Sequence, residues 1–265
     1  MRLKKDERGN FLSMKNHPMT VMIAVNHPNI VQKLSEELKE KTEIVLQEGS
    51  VDEPQLLKQI YQKSPDLVIL GLGMEKLDSI EVLRQLAQNP PRKNPTVVLL
   101  TKEDQRIEAS EAFRLGVRYC IIEPVSCREL GQKIQELQEE MYEQSRRHYE
   151  KWIFLIQTTV SRLGVPIYKV GYHYFIDALY LRIGHSSTVY SAMEMYEEIA
   201  VKYNTTWSCV ESNLRNIIKQ IPTDTEEYQE IFFPRPGIKE EKMSNYKMIS
   251  KLAEYIRMKG KEIID

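Results

Sequence analysis

Residues 196–211 read YEEIAVKYNTTWSCVE and predict two short helices joined by a sharp turn. The apolar residues of the first helix recur at intervals of three and four, which places them on one helix face. They are Tyr196, Ile199, Ala200 and Tyr203. Asn204-Thr205-Thr206 then combines a turn residue with a hydroxyl N-cap, so the second helix starts immediately after the bend. This stretch therefore indicates a helix-turn-helix.

The second helix of this motif has one apolar and one polar face. Its apolar stripe, suited to burial, is Val210, Leu214, Ile217, Ile218 and Ile221. Its polar face, placed as in a recognition helix that points toward base edges, is Ser208, Glu211, Ser212, Arg215 and Lys219. Arg215 suits bidentate binding to guanine, and Ser208 and Ser212 suit bases or phosphate. Thr205 or Thr206 suits phosphate near the positive helix N-terminus. The alternative interpretation is the solvated face of an ordinary helical bundle.

The helical pattern extends over the whole second half of the chain. Helices are predicted over 152–163, 172–183, 189–203, 206–221, 225–231 and 244–258, without a convincing strand pattern. We assign residues 152–260 to an all-α domain, and we expect Trp207 to pack in its core. The tyrosines expected to pack between its helices are Tyr168, Tyr172, Tyr174, Tyr180 and Tyr190.

The first half of the chain alternates short apolar runs with amphipathic segments. Strands are predicted over 20–25, 42–46, 67–71, 96–101 and 119–122, and helices over 30–40, 53–63, 79–88, 105–115 and from 127 onward. This alternation predicts an open, doubly wound (βα)5 domain over 19–138, with ligands expected at the carboxyl ends of the strands. We interpret residues 1–18 as a disordered extension, and residues 139–151 as a linker or a continuation of the fifth helix.

Two motifs in the second half are specific enough to resemble a known family. Gly164-Val165-Pro166 followed by Gly171-Tyr172-x-Tyr174, together with residues 196–211, resembles the C-terminal effector domain of the stage zero sporulation protein A family. The preceding (βα)5 pattern is similar to the receiver domain of that family. The resemblance implies a cytoplasmic, non-enzymatic transcription regulator of a two-component system in sporulation, in which phosphorylation drives receiver dimerisation. The implied partners are the major groove of DNA and a second copy of the chain through the receiver-like domain. An intact response regulator or RNA polymerase is a further candidate partner.

The recognition helix departs from the pattern of that family. The family carries three arginines on the outward face, and the matching positions here are Cys209, Ser212 and Arg215. A good arginine–guanine pair contributes about 1–3 kcal/mol of discrimination, so the change predicts a different DNA sequence or weaker binding. The alternative is a relative that binds no DNA and acts through protein contacts on an intact regulator or phosphorelay component.

The receiver-like domain departs from the family as well. A phosphorylatable receiver carries an acidic pair after the first strand, an aspartate ending the third, Thr or Ser ending the fourth and Lys ending the fifth, since a cation must neutralise the phosphoryl charge. The matching positions are Asn26, His27, Gly71, Thr101 and Glu123, of which only Thr101 keeps the required type. We therefore predict a pseudo-receiver that accepts no phosphoryl group, binds no Mg²⁺ and uses no cofactor.

The composition of the chain limits which other classes of function and structure are possible. The chain carries 37 basic and 38 acidic side chains, and residues 151–265 carry 15 and 14, so DNA binding would have to come from a local basic patch. Three cysteines without a CxxC pair indicate neither a disulfide framework nor a zinc cluster and favour a reducing compartment. The longest apolar runs are far shorter than the roughly 20 residues that span a bilayer, so we expect no membrane helix.

Overall fold

The computed structural model describes residues 18–27, 29–38, 44–49, 52–91, 93–185, 190–233 and 243–264. The chain forms two compact units, residues 1–143 and residues 144–265. The predicted extension over 1–18 lies outside the described residues, apart from Pro18.

The first unit is built on a five-stranded parallel sheet. Its strands are β1 (Met19–Ala24), β2 (Ile44–Glu48), β3 (Leu67–Gly71), β4 (Thr96–Thr101) and β5 (Tyr119–Ile122). Their spatial order is β2-β1-β3-β4-β5, with every neighbouring pair parallel. The strand order reverses between β1 and β3, and such a switch point opens the crevice in which ligands of doubly wound sheets bind.

Helices cover both faces of this sheet. They are α1 (Ile30–Glu37), α2 (Glu53–Lys63), α3 (Ser79–Gln88), α4 (Arg106–Arg114) and the first part of α5 (Cys127–Arg162). β3 is buried along its whole length, as a parallel strand covered on both faces must be. The Asp78 carboxylate starts α3 by accepting hydrogen bonds from the backbone N–H groups of Ile80 and Glu81, both at 3.1 Å. The predicted α/β class is confirmed.

β2 lies two residues later than the predicted 42–46, of which 42 and 43 are outside the described residues. The parallel register pairs Met19 of β1 with Ile44 and Ile23 with Glu48. The apolar pattern ends at Leu46, but an edge strand can carry polar residues on its open side. β2 therefore continues through Gln47 and Glu48.

α5 is one continuous helix of 36 residues. It contains residues 139–151, so that segment continues the fifth helix, and the separate helix predicted over 152–163 is the end of the same element. The run from Gln132 to Arg162 contains neither glycine nor proline and is rich in good helix formers. Gly164 follows its end in the left-handed conformation, with φ of +71°, which only glycine adopts without strain.

The second unit is helical throughout its described residues. To the end of α5 it adds α6 (Val170–Gly184), α7 (Ala192–Tyr203), α8 (Trp207–Ile218), α9 (Glu226–Phe232) and α10 (Asn245–Ile264). α6 is its central helix and packs against α7, α8 and α10. All residues from Tyr174 to Leu179 in α6 are buried, as expected for a helix that is apolar nearly all round.

Gly171 sets the distance between α6 and α8. A Cβ atom at this position would lie 2.6 Å from the carbonyl oxygen of Asn213 in α8, closer than such atoms approach. The absence of a side chain therefore lets the backbone of α6 approach the backbone of α8, and α6 supports α8 directly.

Two expectations about aromatic residues were wrong. Trp207 was expected in the core but is 44% exposed, because it is the first residue of α8 and projects beyond the packed part of the helix. Tyr168 was expected between helices but is 80% exposed in the α5–α6 loop. The other four tyrosines follow the prediction: Tyr172 and Tyr174 are buried, and Tyr180 and Tyr190 pack against the margin of the core.

Candidate functional site

Local hydrogen bonds fix α7, the turn and α8 as a unit. α7 begins with a capping box in which Ser191 and Glu194 each accept from the other's backbone N–H group, at 3.2 and 2.7 Å. α7 ends at Tyr203, and its C-cap Asn204 has a left-handed φ of 51°. Thr206 Oγ1 then accepts from the Cys209 N–H at 3.3 Å to start α8. The turn places α8 sharply after α7, as the sequence predicts.

The face of α8 opposite the core is polar and accessible. Val210, Leu214 and Ile217 are buried, which turns the predicted polar row outward. The predicted DNA-contacting residues that are exposed are Thr206, Ser208, Ser212, Arg215 and Lys219, and those that are half-buried are Thr205, Cys209 and Glu211. α8 ends at Ile218 rather than at the predicted residue 221, so Lys219 is its C-cap.

Arg215 is paired within its own helix. Its guanidinium donates to the Glu211 carboxylate, one turn earlier, at 2.6 Å. A surface pair of this kind contributes only about 0–1 kcal/mol, so the guanidinium can exchange its partner at small cost. Arg215 is therefore held in place on the exposed face and is available to another acceptor.

Cys209 contacts its own helix as well. The Asn213 side-chain amide donates to the Cys209 carbonyl oxygen at 2.9 Å and to its Sγ atom at 3.4 Å. The half-buried thiol thus contacts a neighbouring side chain on α8, at the position where the resemblance implies an arginine.

A buried ion pair between α6 and α7 was not predicted from the sequence. Asp177 of α6 accepts from the ammonium of Lys202 in α7, and the hydroxyl of Tyr203 donates to the same carboxylate. Burial raises the pKa of the Asp177 carboxyl and lowers the pKa of the Lys202 ammonium to about 8, because apolar surroundings penalise both charged forms. The signal in the sequence was a single acid inside the apolar run YFIDALYL, residues 174–181.

In the first unit, the end of β3 carries no side chain that could receive a phosphoryl group. The position is Gly71, whose carbonyl oxygen accepts from the buried Ser79 hydroxyl. A Cβ atom at Gly71 would lie 3.3 Å from Met74 Sδ and 3.5 Å from Val25 Cα. The space into which an acceptor side chain would project is therefore bordered closely by Met74.

The residues that follow β1 and β5 form a hydrogen-bonded pair whose residue types differ from those of the family at both positions. His27 Nε2 lies 2.5 Å from Glu123 Oε1, whereas the resemblance implies an acid after β1 and a lysine after β5. The pair borders a cleft of about 470 Å³ that is also lined by Lys102, Pro124 and Val125. Asn26 is exposed beside His27.

Thr101 keeps the residue type of the family at the end of β4. It is 4% exposed, and its hydroxyl lies 3.3 Å from the Lys102 carbonyl oxygen and 3.4 Å from Gln105 Oε1. Gln105 Oε1 also accepts from the Lys102 N–H at 2.9 Å. The threonine thus belongs to a local network that fixes the start of the β4–α4 loop.

The residues at this edge do not fit the Mg²⁺ ion that the receiver fold implies. Mg²⁺ takes oxygen ligands and needs one or two carboxylates. However, β1 is followed by Asn26 and His27, β3 ends in Gly71, and the Glu123 carboxylate is hydrogen-bonded to His27. Asp78, which follows β3, caps α3, and Asp66 lies before β3 at the opposite edge of the sheet, where it pairs with Lys93 at 2.5 Å. Among the described residues, no three His, Cys, Asp or Glu side chains are grouped so that they could hold a metal.

Family models match both units. Residues 21–135 match the response regulator receiver domain, and residues 156–256 match the family described as "Sporulation initiation factor Spo0A C terminal". The chain belongs to the Spo0A-type response regulators. The receiver and the sporulation-type effector therefore occur in one chain, in the order that the resemblance implies.

Solved structures that are similar to part of this chain include response regulators and their receiver domains. The matches include the response regulator domain of Thermotoga maritima CheB, with 16% identity, a TM-score of 0.41 and coverage of 48% of this chain and 98% of that chain. A DNA-binding response regulator of the LuxR family from Staphylococcus aureus shows 19% identity and a TM-score of 0.39, covering 44% and 97%. A response regulator receiver domain protein from Clostridium thermocellum shows 20% identity and a TM-score of 0.38, covering 44% and 92%.

None of the helices described for this Spo0A-type regulator is both long and apolar enough to cross a membrane.

Proposed function

We propose that this Spo0A-type regulator binds DNA through α8 and regulates transcription without aspartyl phosphorylation. The observation that carries the first part is the α7–turn–α8 unit, which buries one stripe of α8 and exposes the opposite polar row on an effector domain of this family. A helix presented in this way enters the major groove with the exposed row facing base edges.

The proposed DNA contacts are of two kinds: contacts that read the bases, and contacts to phosphate that position α8 on the DNA. Arg215 binds guanine, with Ser208 and Ser212 on the same exposed row contacting bases or phosphate. Thr205 and Thr206 lie at the start of α8, where hydroxyl groups and the helix N-terminus suit phosphate. Cys209 and Glu211 border this row, with Lys219 at its far end.

We also propose that the chain acts as a homodimer through its receiver unit. A single helix with one arginine binds DNA weakly, and a second linked copy raises the effective concentration of the first. Neighbouring elements of the receiver expose apolar side chains that suit such contacts: Ile107 and Phe113 of α4 are 85% and 51% exposed, and Ile122 of β5 is 59% exposed. An intact response regulator or RNA polymerase is a further proposed partner, and the cytoplasm is the proposed location.

Independence from phosphorylation rests on the edge of the sheet. Gly71 has no side-chain carboxylate that could accept a phosphoryl group. Glu123 places a carboxylate where a phosphoryl group would need a cation. The His27–Glu123 pair instead joins the segments that follow β1 and β5 without a phosphoryl group. The second unit then needs a different input, such as expression level or constitutive dimerisation.

Incubation of the full chain with acetyl phosphate and Mg²⁺ is expected to leave its mass unchanged. The reason is the missing carboxylate at Gly71 and the absence of carboxylates from Asn26 and His27. Intact-mass spectrometry checks this, with an intact receiver treated in parallel as the positive control. A stoichiometric phosphoryl adduct that hydroxylamine removes would contradict the proposal.

The second candidate function is regulation through protein contacts without DNA binding. It is favoured by the Glu211–Arg215 pair, which compensates the charge of Arg215, and by Cys209 and Ser212, which are uncharged where the resemblance implies arginines. Mobility-shift assays with genomic fragments at low and moderate salt distinguish the two functions. Salt-sensitive binding supports the DNA-binding regulator, and no binding to any fragment supports the protein-contact function.

A further inference from the structure

A polar cleft lies between α6 and α8, beside the row proposed to read bases. Its volume is about 500 Å³. One wall comes from the start of α6, and the other from the second half of α8 and the residues that follow it. The lining residues are Lys169, Val170, Gly171, Asn213, Asn216, Ile217, Lys219 and Gln220.

The charge of this cleft is positive. All of its described lining residues are basic or uncharged, with Lys169 on one side and Lys219 on the other. Both lysines are exposed, and Lys169 Nζ lies 5.4 Å from the centroid of the Tyr168 ring. The receiver cleft differs in this respect, since it includes the Glu123 carboxylate. The α6–α8 cleft therefore suits an anion better than any neutral or cationic group.

The position of the cleft indicates which anion. On α8, Asn216 directly follows Arg215, and Lys219 lies one turn beyond it. The cleft thus borders the C-terminal end of the exposed row, next to the side chain proposed to contact guanine. When a recognition helix lies in the major groove, the residues that flank its base-reading row face the sugar-phosphate backbone.

The walls of the cleft are fixed by close packing. The Cβ position at Gly171 is 2.6 Å from the Asn213 carbonyl oxygen, so the start of α6 touches α8 at the bottom of the cleft. Gln220 Nε2 donates to the Asn216 carbonyl oxygen at 2.9 Å, which orders the turn that carries Lys219. Lys169 and Lys219 are therefore held on opposite sides of one opening.

We propose that Lys169 and Lys219 bind DNA backbone phosphates at the α6–α8 cleft, and that this contact positions α8 in the groove without reading sequence. The proposal rests on the proposed DNA binding through α8. It supplies the local basic patch that a domain with 15 basic and 14 acidic side chains over 151–265 requires.

The test is the double variant Lys169→Gln, Lys219→Gln of the full chain. Two lost phosphate contacts are expected to lower the slope of log affinity against log salt by about 2. The loss of affinity between about 50 and 200 mM salt then becomes about 10-fold smaller than for the unmodified chain. Selected and scrambled duplexes are expected to lose affinity by the same factor, since phosphates carry no sequence.

The matched control is Lys259→Gln, Lys261→Gln, which removes the same charge from exposed lysines of α10. Three results would each overturn the proposal. They are an unchanged salt slope in the cleft variant, an equal change of slope in the control variant, and a loss of affinity confined to the selected duplex. If the unmodified chain binds no DNA, the proposed function fails together with it. If the chain binds DNA but the cleft variant keeps the salt slope of the unmodified chain, only the proposed phosphate contact of Lys169 and Lys219 fails, and the proposed DNA binding through α8 stands.

Discussion

Replacement of Asp177 by alanine is expected to lower the free energy of unfolding of the helical unit by about 3–5 kcal/mol. The carboxylate is buried between α6 and α7, and its removal takes away the negative charge beside the Lys202 ammonium, which has 17% side-chain exposure. The two tryptophans of the chain, Trp152 and Trp207, both lie in residues 144–265. Urea unfolding of the full chain followed by tryptophan fluorescence therefore reports on this unit.

The double variant Asp177→Leu, Lys202→Met is the matched control for the buried pair. Replacing both charges by apolar side chains of similar size is often close to neutral, so the double variant is expected to lose less stability than Asp177→Ala alone. Two results contradict this account of the pair: a cost below about 1 kcal/mol for Asp177→Ala, or a double variant that is less stable than the single one.

Replacement of Arg215 by alanine is expected to lower affinity for the preferred DNA sequence by about 5- to 150-fold. This range corresponds to about 1–3 kcal/mol for one bidentate arginine–guanine pair. Breaking the exposed bond to Glu211 costs up to about 1 kcal/mol and brings the net effect toward the lower end. Fluorescence anisotropy with the selected duplex and with a duplex altered at the contacted guanine measures the change.

Two variants separate base reading from charge. Arg215→Lys keeps the charge but loses the planar fork, so it is expected to bind the selected duplex nearly as weakly as Arg215→Ala. Glu211→Gln releases the guanidinium and removes a negative charge beside DNA, so it is expected to bind more tightly. If Arg215→Ala weakens selected and altered duplexes equally, Arg215 contacts phosphate rather than guanine.

The strands and helices of the first unit follow from residue patterns because each element is short and bounded by a clear signal. β3, β4 and β5 have the predicted bounds, since each is a short run of apolar and β-branched residues, the types that parallel strands favour. The edge strand β2 is displaced because only pairing with β1 decides where it ends. The ends of long helices are harder to predict, since no local residue pattern shows whether α5 stops at a polar stretch or continues through it.

Parts of the candidate site that depend on neighbouring residues could be predicted from the sequence, and parts that depend on residues far apart in the chain could not. The α7–turn–α8 unit was visible in the sequence because Asn204 and Thr206 set the turn and the cap through neighbouring residues. The Asp177–Lys202 pair and the cleft between Lys169 and Lys219 join residues far apart in sequence, so no spacing predicts them. Trp207 shows the converse, since residue type alone favours burial and only its place at the start of α8 explains its exposure.

The central claim is that the full chain binds a defined DNA sequence without aspartyl phosphorylation. The most direct test selects random-sequence duplexes with the untreated chain and then titrates the selected duplex before and after treatment with acetyl phosphate and Mg²⁺. We predict that the selected duplex is bound at least about tenfold more tightly than a scrambled one, as one base-specific arginine contact allows, with the same affinity before and after treatment. Binding that appears only after treatment, or equal affinity for the selected and scrambled duplexes, would contradict the claim.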